Sequence, residues 1–479
     1  MAKEIWSIRQ MSLKKGMLNV FIANIINLII SLFTGFVLPK LLSVESYANI
    51  KLFQLYITYI GILHFGFADG MYLKYGGKNI KSVDSKEILG EFRTFKIFQF
   101  AITIIAIIIS ISLKNEMLIF CSIVILPINV GNYLRNLYQA VGEFKKYSTF
   151  TNINTLLIFI INLILLLLIK TDNYYTYIIA YIVAYFIYWV IIEIENRKLF
   201  KKEKVKSNKK YLIEDVKSGF FLMIGNFCNV IFTSIDRLFV QNLLGTVKFA
   251  FYSFAVSIEN LMNVFVTPIS TVMYNYLCNN KEVEKVIPIK KIILIFSAFI
   301  VSVVFGAKFA INLWIEKYND AITVMILLFA AQYVSIIIRC IQINLYKAYK
   351  KQNKYFLIMV GVVVLSVILN VTFYNINKSI EAIALATLVT NIVWIIIGET
   401  DFKQYRLALK EYIYIILILI TFLLCGIIIK NAVIGFIVYI VIALLLTLIL
   451  LNDTFKYCIT QGLKYIKQIL KKLKGEQTE

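Results

Sequence analysis

The sequence has few of the residues from which soluble enzymes and disulfide-bonded domains are built. Its 479 residues include one histidine, four prolines and 27 acidic residues, against 50 lysines and arginines. The six cysteines form no CxxC pair, and no Gly-rich phosphate-binding loop is present. These absences argue against a disulfide framework, a metal site and the direct use of ATP, so we expect neither a metal nor a cofactor.

Long apolar runs dominate the chain instead. Hydrophobic residues make up 60% of it and charged residues 16%, and the mean hydropathy is +0.79. An α-helix crosses a membrane with roughly 20 apolar residues and satisfies its own backbone hydrogen bonds. The sequence therefore predicts an all-α integral membrane protein with fourteen transmembrane helices, here called spans 1 to 14, near residues 17–39, 47–73, 92–113, 117–140, 149–169, 174–194, 218–242, 247–277, 289–313, 320–346, 355–374, 379–398, 411–429 and 432–452.

Lysine and arginine are unevenly distributed among the connections between spans. Most of them fall in the N-terminal segment and in the connections after even-numbered spans. Because these residues are retained on the cytoplasmic side, both termini are predicted to be cytoplasmic. The net charge of +23 is explained by this topology and by contact with anionic lipids. We expect no binding of nucleic acid, since no soluble basic domain is predicted to carry it.

The sequence repeats two phrases at nearly the same offset. NLYQAVGEFKKY at 136–147 returns as NLYKAYKKQNKY at 344–355, an offset of 208. LLSVESYA at 41–48 matches LLGTVKFA at 243–250, an offset of 202. Matched spans run in the same direction, so the pattern predicts two six-helix bundles related as a parallel repeat, with the substrate passing between them.

The repeat predicts five segments along the chain. They are an N-terminal bundle over 1–200, a basic cytoplasmic linker over 201–210, a second bundle over 211–409, spans 13 and 14 over 410–453, and an amphipathic cytoplasmic tail over 454–479 that lies on the inner leaflet. In the two copies of the longer phrase, Tyr138 and Tyr346 are expected at the level of the lipid headgroups.

Four local sequences carry a resemblance to a known family. They are HFGFADGMYLKYGG (64–77), IDRLFVQNLLG (235–245), FAFYSFA (249–255) and NLYKAYKKQNKY (344–355). With these motifs in this order and a 6+6+2 plan, the chain resembles the Wzx-type polysaccharide flippases of the multidrug/oligosaccharidyl-lipid/polysaccharide exporter superfamily. The resemblance implies a MATE-like fold. It also implies a carrier that moves undecaprenyl-diphosphate-linked sugar repeat units across the bacterial plasma membrane for O-antigen or capsule synthesis.

The resemblance sets expectations about partners as well. A lipid-linked oligosaccharide is the expected substrate. A polysaccharide polymerase and chain-length proteins are the expected protein partners. The protein itself is expected to be a monomer. Many of the similar proteins have an Asp before the FG of span 2. This chain has His64 there, so no acidic role is transferred to that position.

Three arginines lie inside the predicted spans at different depths: Arg135 in span 4, Arg237 in span 7 and Arg339 in span 10. A charge at membrane depth costs roughly 2.5–3.5 kcal/mol on insertion scales, so it is normally paired or faces an aqueous cavity. Arginine is a permanently charged, bidentate donor that suits phosphate, which makes these three the candidate ligands of a diphosphate. The alternatives are snorkelling to the inner interface and a salt bridge to a neighbouring helix.

Four titratable side chains inside the spans are candidates for coupling transport to an ion. Glu259 and Asp236 could exchange a proton during alternating access, because burial and a nearby arginine act in opposite directions on the proton affinity of a carboxylate. His64 is of a type that titrates near neutrality, and Asp69 follows it on span 2. Structural ion pairs and interhelical hydrogen bonds are the competing interpretations.

Asparagines recur as matched pairs, Asn24 and Asn27 in span 1 and Asn226 and Asn229 in span 7, again at an offset of 202. An oligosaccharide needs amide donors and acceptors, so the four residues are candidate sugar ligands. Interhelical hydrogen bonding is the alternative.

Helix-breaking residues indicate where the spans bend. Gly66 and Gly70 lie near the end of span 2, and Pro268 lies at nearly the matching place in span 8. Bends at such residues are candidate hinges for gating.

Other functions of membrane proteins are less consistent with these features. A membrane glycosyltransferase or polymerase is disfavoured because no long loop carries a cluster of His, Asp or Glu, so we expect no enzyme. A drug or cation antiporter of the same superfamily would need an acidic, aromatic site, whereas arginines predominate among the span charges. A lipid-linked peptidoglycan precursor stays open as a substrate, since its diphosphate is the same.

Overall fold

The computed structural model describes residues 29–78, 80, 83–199 and 205–461. Within these ranges the chain is helical and contains no strand, because long apolar stretches with few prolines satisfy their backbone only as helices in lipid. The first helices are α1 (Ile29–Leu41), α2 (Val44–Tyr59), α3 (Phe67–Tyr75), α4 (Ser85–Ser112), α5 (Glu116–Ile123), α6 (Ile125–Ala140), α7 (Phe144–Leu163), α8 (Tyr174–Leu199) and α9 (Lys209–Leu244).

The chain continues through α10 (Thr246–Glu259), α11 (Asn263–Asn279), α12 (Val283–Ile300), α13 (Val303–Trp314), α14 (Ala321–Ile337), α15 (Ile343–Ala348), α16 (Gln352–Ile376), α17 (Ile380–Asp401), α18 (Leu409–Ile427) and α19 (Ala432–Leu450). Short irregular turns interrupt several of these helices. A 3₁₀ turn (Ile60–His64) follows α2, another (Asn260–Met262) separates α10 from α11, and a π-helical segment (Ile338–Gln342) joins α14 to α15.

The described residues include eleven helices that are long and apolar enough to cross a membrane, or thirteen if each of two bent pairs forms one span. The bent pairs are α2 with α3, which turn by 64°, and α5 with α6, which turn by 40°. The predicted all-α, multi-span membrane fold is confirmed. The count of fourteen stays a prediction, because span 1 begins outside the described residues and only its end is seen as α1.

Contacts divide the chain into two compact units. Unit 1 comprises Met1–Gln241 and Gly245–Ser253, and unit 2 comprises Asn242–Leu244 and Phe254–Glu479. By its contacts α9 therefore belongs almost entirely to unit 1, although the sequence repeat counts it as the first helix of the second bundle. The domain boundaries drawn from the repeat stay predictions.

Each unit has its own core. In unit 1, α3, α4 and α6 meet at aromatic rings, of which Phe95 and Tyr133 stack with centroids 4.8 Å apart. In unit 2, α14 is buried along nearly its whole length and packs against α17 and α18. A helix that is apolar all round is expected at the centre of a bundle.

Both copies of the longer repeated phrase fold into the same helix–turn–helix. The backbone N–H of Glu143 donates to the carbonyl of Tyr138, and 208 positions later Lys351 donates to Tyr346, each at 2.8 Å. Gly142 and Lys350, the residues before the two donors, have a left-handed backbone conformation, with φ of 75° and 55°. A hydrogen bond from an N–H to the carbonyl five residues earlier, next to a left-handed residue, is a common way for a helix to end. The phrase therefore encodes the end of one helix and the start of the next.

The tyrosines of this phrase are enclosed by protein, and their position at the headgroup level stays a prediction. Tyr138 and Tyr346 are each only 1% exposed. Tyr138 stacks on Phe150 at 5.5 Å, and the hydroxyl of Tyr346 donates to Asp401 at 2.6 Å. The turn folds the following helix back over the ring, which encloses it in protein.

The shorter repeat also encodes one local structure twice. In the first copy the N–H of Tyr47 donates to the carbonyl of Ser43, and in the second Phe249 donates to Gly245, both at 3.0 Å. α2 and α10 thus begin at equivalent positions of the two copies.

Candidate functional site

The break between α2 and α3 places the first group of polar residues. Phe65 and Gly66 are both left-handed, with φ of 51° and 88°. A Cβ at Gly66 would also press on the backbone of Phe220 in α9. Glycine is therefore needed here both for its backbone conformation and for space.

α3 and α9 cross with their backbones in contact. A Cβ at Gly70 would overlap the backbone of Asp215, and a Cβ at Gly219 would overlap the backbone of Gly66 and Gly70. Gly66 and Gly70 are spaced as in the small-xxx-small motif that brings membrane helices together. The two residues predicted as hinges therefore also form the contact face of α3. Pro268, the third, lies inside α11, beyond the 3₁₀ turn of the same span.

The crossing brings three predicted site residues of unit 1 together. The amide of Asn226 donates to Oδ1 of Asp69 at 3.2 Å, and Nε2 of His64 lies 3.6 Å from the other carboxylate oxygen. Nδ1 of His64 accepts the backbone N–H of Gly66 at 3.0 Å, so Nε2 is the nitrogen available to face Asp69. These residues border a cavity of about 150 Å³ that is also lined by Thr58, Gly61, Ile62, Asn136, Met223, Phe227 and Val230.

Farther along α9, the remaining predicted residues are separate from this cavity. Asn229 has an exposed side chain. Asp236 is buried and accepts a hydrogen bond from the hydroxyl of Tyr252 at 3.2 Å. Arg237 is half-buried and lies within electrostatic range of Lys51 on α2. This end of unit 1 therefore holds two neighbouring cations.

Arg135 lies five residues before the end of α6, where its side chain is half-buried. One of its nitrogens, Nη2, donates to Oδ1 of Asn132 at 3.0 Å, one turn earlier on the same helix. A neutral amide thus orients the guanidinium group.

Arg339 is the cation of unit 2 that the sequence predicted as a substrate ligand. It lies in the π-helical segment, and its Nη1 donates to Oδ1 of Asn263 at 2.6 Å. Its backbone carbonyl accepts the hydroxyl of Ser270 at 2.9 Å and the amide of Asn344 at 3.3 Å. Side chains of α11 and α15 thus hydrogen-bond to a segment that departs from regular α-helix, as π-bulges at functional sites often do.

Glu259 belongs to the same cluster. One carboxylate oxygen accepts the side-chain amide of Gln332 on α14, and the carboxylate lies within electrostatic range of Arg339. Unit 2 therefore brings together Arg339, which the sequence predicts as a substrate ligand, and Glu259, which it predicts as an ion-coupling group.

Sequence reasoning missed a set of buried charges near the ends of long helices. In unit 1, Glu91 accepts from Lys74 and from Tyr75, and Asp215 lies nearby with one carboxylate oxygen buried and without a hydrogen-bond partner. In unit 2, buried Lys290 pairs with buried Glu399, and half-buried Lys291 pairs with buried Glu411. α9 has 36 residues, about 54 Å of helix against a hydrocarbon layer of about 30 Å, so its ends reach beyond the apolar run that hydropathy detects.

Two predicted elements lie outside the described residues. Asn24 and Asn27 precede the first described residue, and most of the amphipathic tail follows the last one, although residues 452–461 are helical. Among the described residues, no group of three or more His, Cys, Asp or Glu is placed to hold a metal ion.

Comparison with known proteins gives a family and a fold. A family model described as polysaccharide biosynthesis protein matches residues 13–281, whereas no curated protein matches the sequence. A solved structure of the lipid II flippase MurJ in an inward closed conformation is similar over 91% of this chain and 99% of its own, with a TM-score of 0.69 and 17% identity.

Multidrug transporters share the fold at lower similarity. An outward-facing MATE family transporter of the MOP superfamily matches with a TM-score of 0.55 and 14% identity, over 82% of this chain and 96% of its own. The MATE multidrug transporter DinF-BH matches with a TM-score of 0.52 and 13% identity, over 84% and 96%. Since the family model covers more than half of the sequence, the chain belongs to the polysaccharide biosynthesis protein family, and it is a multi-pass membrane protein with the fold of MurJ and the MATE transporters.

Proposed function

We propose that the protein is a flippase that moves undecaprenyl-diphosphate-linked oligosaccharide repeat units across the bacterial plasma membrane by alternating access. Its termini are cytoplasmic in this proposal, and a surface polysaccharide such as O-antigen or capsule is the product of the pathway it serves. Membership of the polysaccharide biosynthesis family and the fold shared with a lipid II flippase support this assignment.

The observation that carries the proposal is how two span arginines are held. Arg339 is bound by Asn263 and Arg135 by Asn132. In the described part of the chain, neither guanidinium forms an ion pair with a carboxylate. An amide fixes the direction of the group without neutralising its charge.

Such an arrangement suits an anionic ligand. A guanidinium has five N–H donors, and one amide oxygen occupies only one of them. Arg339 lies nine residues before the end of α15, roughly 13 Å along the helix, so its charge is deep enough for desolvation to be costly. A diphosphate that passes this point would bring negative charge to the guanidinium and accept two parallel hydrogen bonds.

Ion coupling is assigned to the carboxylate next to this cation. Glu259 accepts from Gln332 and lies close to Arg339, so the arrival of an anion at the guanidinium would alter the field at the carboxylate. Asp236, His64 and Asp69 are the other candidate coupling groups. A Glu259→Gln variant should lose the dependence of flipping on an imposed pH gradient; a wild-type response would remove Glu259 from this role.

One experiment tests the proposed substrate in cells. Arg339→Gln should block surface polysaccharide and cause the lipid-linked repeat unit to accumulate on the inner leaflet, at unchanged protein level. Arg339→Lys keeps the charge but loses bidentate geometry, so partial output is expected. Arg406→Gln, an exposed residue outside the spans, is the matched control. Normal polymer output from Arg339→Gln would contradict the proposal.

A second substrate is favoured by the similarity to MurJ, namely a lipid-linked peptidoglycan precursor. The diphosphate would bind in the same way, so the sugar part must discriminate. Expression of the protein in cells depleted of their own lipid II flippase distinguishes the two: restored growth favours the peptidoglycan precursor, and continued lysis with restored surface polysaccharide in a flippase-deficient strain favours the repeat unit.

A further inference from the structure

Unit 1 contains a basic cavity that shares no lining residue with the polar cavity at the α2–α3 break. It is an open cavity of about 470 Å³ between the first turns of α7 and the last turns of α8, lined by Lys145, Lys146, Thr149, Phe150, Ile153, Ile191, Ile194 and Glu195. Its volume falls within the ~300–1,000 Å³ typical of small-molecule sites.

The mouth of this cavity carries two lysines, Lys145 and Lys146. Lys145 is exposed, and the ammonium group of Lys146 lies 5.4 Å from the centre of the Tyr138 ring, which holds it in place. Neither lysine forms an ion pair with any other described residue. Glu195 lines the same cavity, and Glu143 precedes the two lysines at the start of α7.

The repeat offers an internal comparison for this lysine. Lys354 occupies the position 208 residues after Lys146, and its ammonium group pairs with Asp401 at 2.7 Å. The second copy of the phrase thus neutralises its lysine within the protein. The first copy leaves the equivalent charge beside an open cavity.

The first turn of α7 has backbone N–H groups that the side chain of its N-cap residue, Glu143, does not engage. The backbone N–H groups at a helix N-terminus attract anions, and the two lysines lie in that same turn.

The rest of the cavity is apolar and follows the two spans. Phe150 and Ile153 project from α7, while Ile191 and Ile194 project from α8. Ile194 is 50% exposed, so this wall is open on one side. The lining is therefore basic at the helix ends and apolar along the helices. A phospholipid has the same order, with its phosphate group at the membrane surface and its acyl chains below.

We propose that this cavity, here called the lysine–isoleucine site, binds an anionic glycerophospholipid of the surrounding leaflet, independently of the transported substrate. The lipid phosphate contacts Lys145, Lys146 and the first turn of α7. One acyl chain lies along Ile153, Ile191 and Ile194. Basic pockets between membrane helices recognise anionic headgroups by this combination of charge and apolar contact.

Equilibrium binding of lipid to the full chain in detergent tests the proposal, measured by native mass spectrometry with phosphatidylglycerol or phosphatidylcholine as probe. Phosphatidylglycerol should bind at least tenfold more tightly than phosphatidylcholine. The Lys145→Gln/Lys146→Gln variant should bind it about 30-fold more weakly, since each lysine near an anionic lipid contributes roughly fivefold. Both lysines are at the surface of the cavity, so the variant should fold normally.

Lys354→Gln is the matched control and should leave the affinity for phosphatidylglycerol unchanged. Inorganic pyrophosphate is added in a further arm to separate a lipid site from a site for the substrate's diphosphate. Equal binding of the two lipids, unchanged affinity in the double variant, or displacement of phosphatidylglycerol by pyrophosphate would each overturn the proposal.

Discussion

Replacing Lys290 by methionine is expected to destabilise unit 2 strongly. Lys290 is 2% exposed on α12, and its ammonium group donates to the carboxylate of Glu399 on α17 and to the carbonyl of Tyr405 at 3.0 Å. Glu399 is 5% exposed and also accepts the hydroxyl of Tyr412 at 2.9 Å. The pair therefore joins α12, α17 and the start of α18 through buried charges.

The expected magnitude follows from burial. Removal of one partner leaves the other charge desolvated and uncompensated, which costs about 3–5 kcal/mol of the free energy of unfolding. Glu399→Gln should cost a similar amount for the same reason. Removing both charges together is often close to neutral, so the double variant should be less destabilised than the sum of the single variants by about 3 kcal/mol or more.

Denaturant unfolding of the four proteins in detergent gives this double-mutant cycle. Lys285→Met is the matched control on the same helix, because its ion pair with Glu282 is exposed, with side chains 51% and 60% accessible. It should change the free energy of unfolding by less than about 1 kcal/mol. Additive effects of the two buried substitutions, or a loss at Lys290 no larger than at Lys285, would refute the reasoning.

Three further substitutions test the packing and the polar cavity. Gly219→Ala should lower the free energy of unfolding by about 3 kcal/mol, because its Cβ would overlap the backbone of α3. Gly225→Ala, on the same helix, has open space around its Cβ and should be neutral. Equal effects of the two substitutions would contradict the contact between α3 and α9. Lys308→Met removes two hydrogen bonds of 2.7 Å to carbonyls at the end of α18 and should cost about 2 kcal/mol by the same measurement. Asp69→Asn keeps the shape of the cavity but removes its charge, so it should slow lipid flipping without changing protein level, while an unchanged rate would exclude a coupling role.

The repeats show what a sequence can specify locally. The phrases at 136–147 and 344–355 were recognisable as copies, and each folds into the same capped turn because the hydrogen bonds involved span only a few residues. The burial of Tyr138 could not be predicted from the local sequence. Its burial depends on Phe150, which packs on it only after the following helix folds back.

The polar cavity illustrates a different limit. His64 and Asp69 are five positions apart, so on a straight helix they would point about 140° away from each other. The break at Phe65 and Gly66 reorients them until Nε2 and Oδ2 are 3.6 Å apart. Glycine at 66 signalled a bend, but neither its direction nor the approach of Asn226 from α9 follows from the sequence.

The buried charges were missed for a physical reason. Hydropathy locates the apolar part of a helix, whereas Glu91, Asp215 and Lys290 lie in turns outside or at the edge of the predicted spans. Their burial comes from neighbouring helices, such as α3 against Glu91 and α17 against Lys290. Arg339 was found because it interrupts an apolar run, yet its hydrogen bond to Asn263 depends on a contact between helices that no local pattern records.

The central claim is that a guanidinium held by an amide, and not by an acid, serves the passage of a lipid diphosphate. Reconstitution of the full chain into liposomes with an undecaprenyl-diphosphate-linked glycan tests it most directly, with the arrival of the glycan in the outer leaflet measured by its accessibility to an added glycosidase. The wild-type protein should accelerate this arrival, and Arg339→Gln should slow it at least tenfold. A wild-type rate no faster than that of empty liposomes, or an undiminished rate in the variant, would contradict the account.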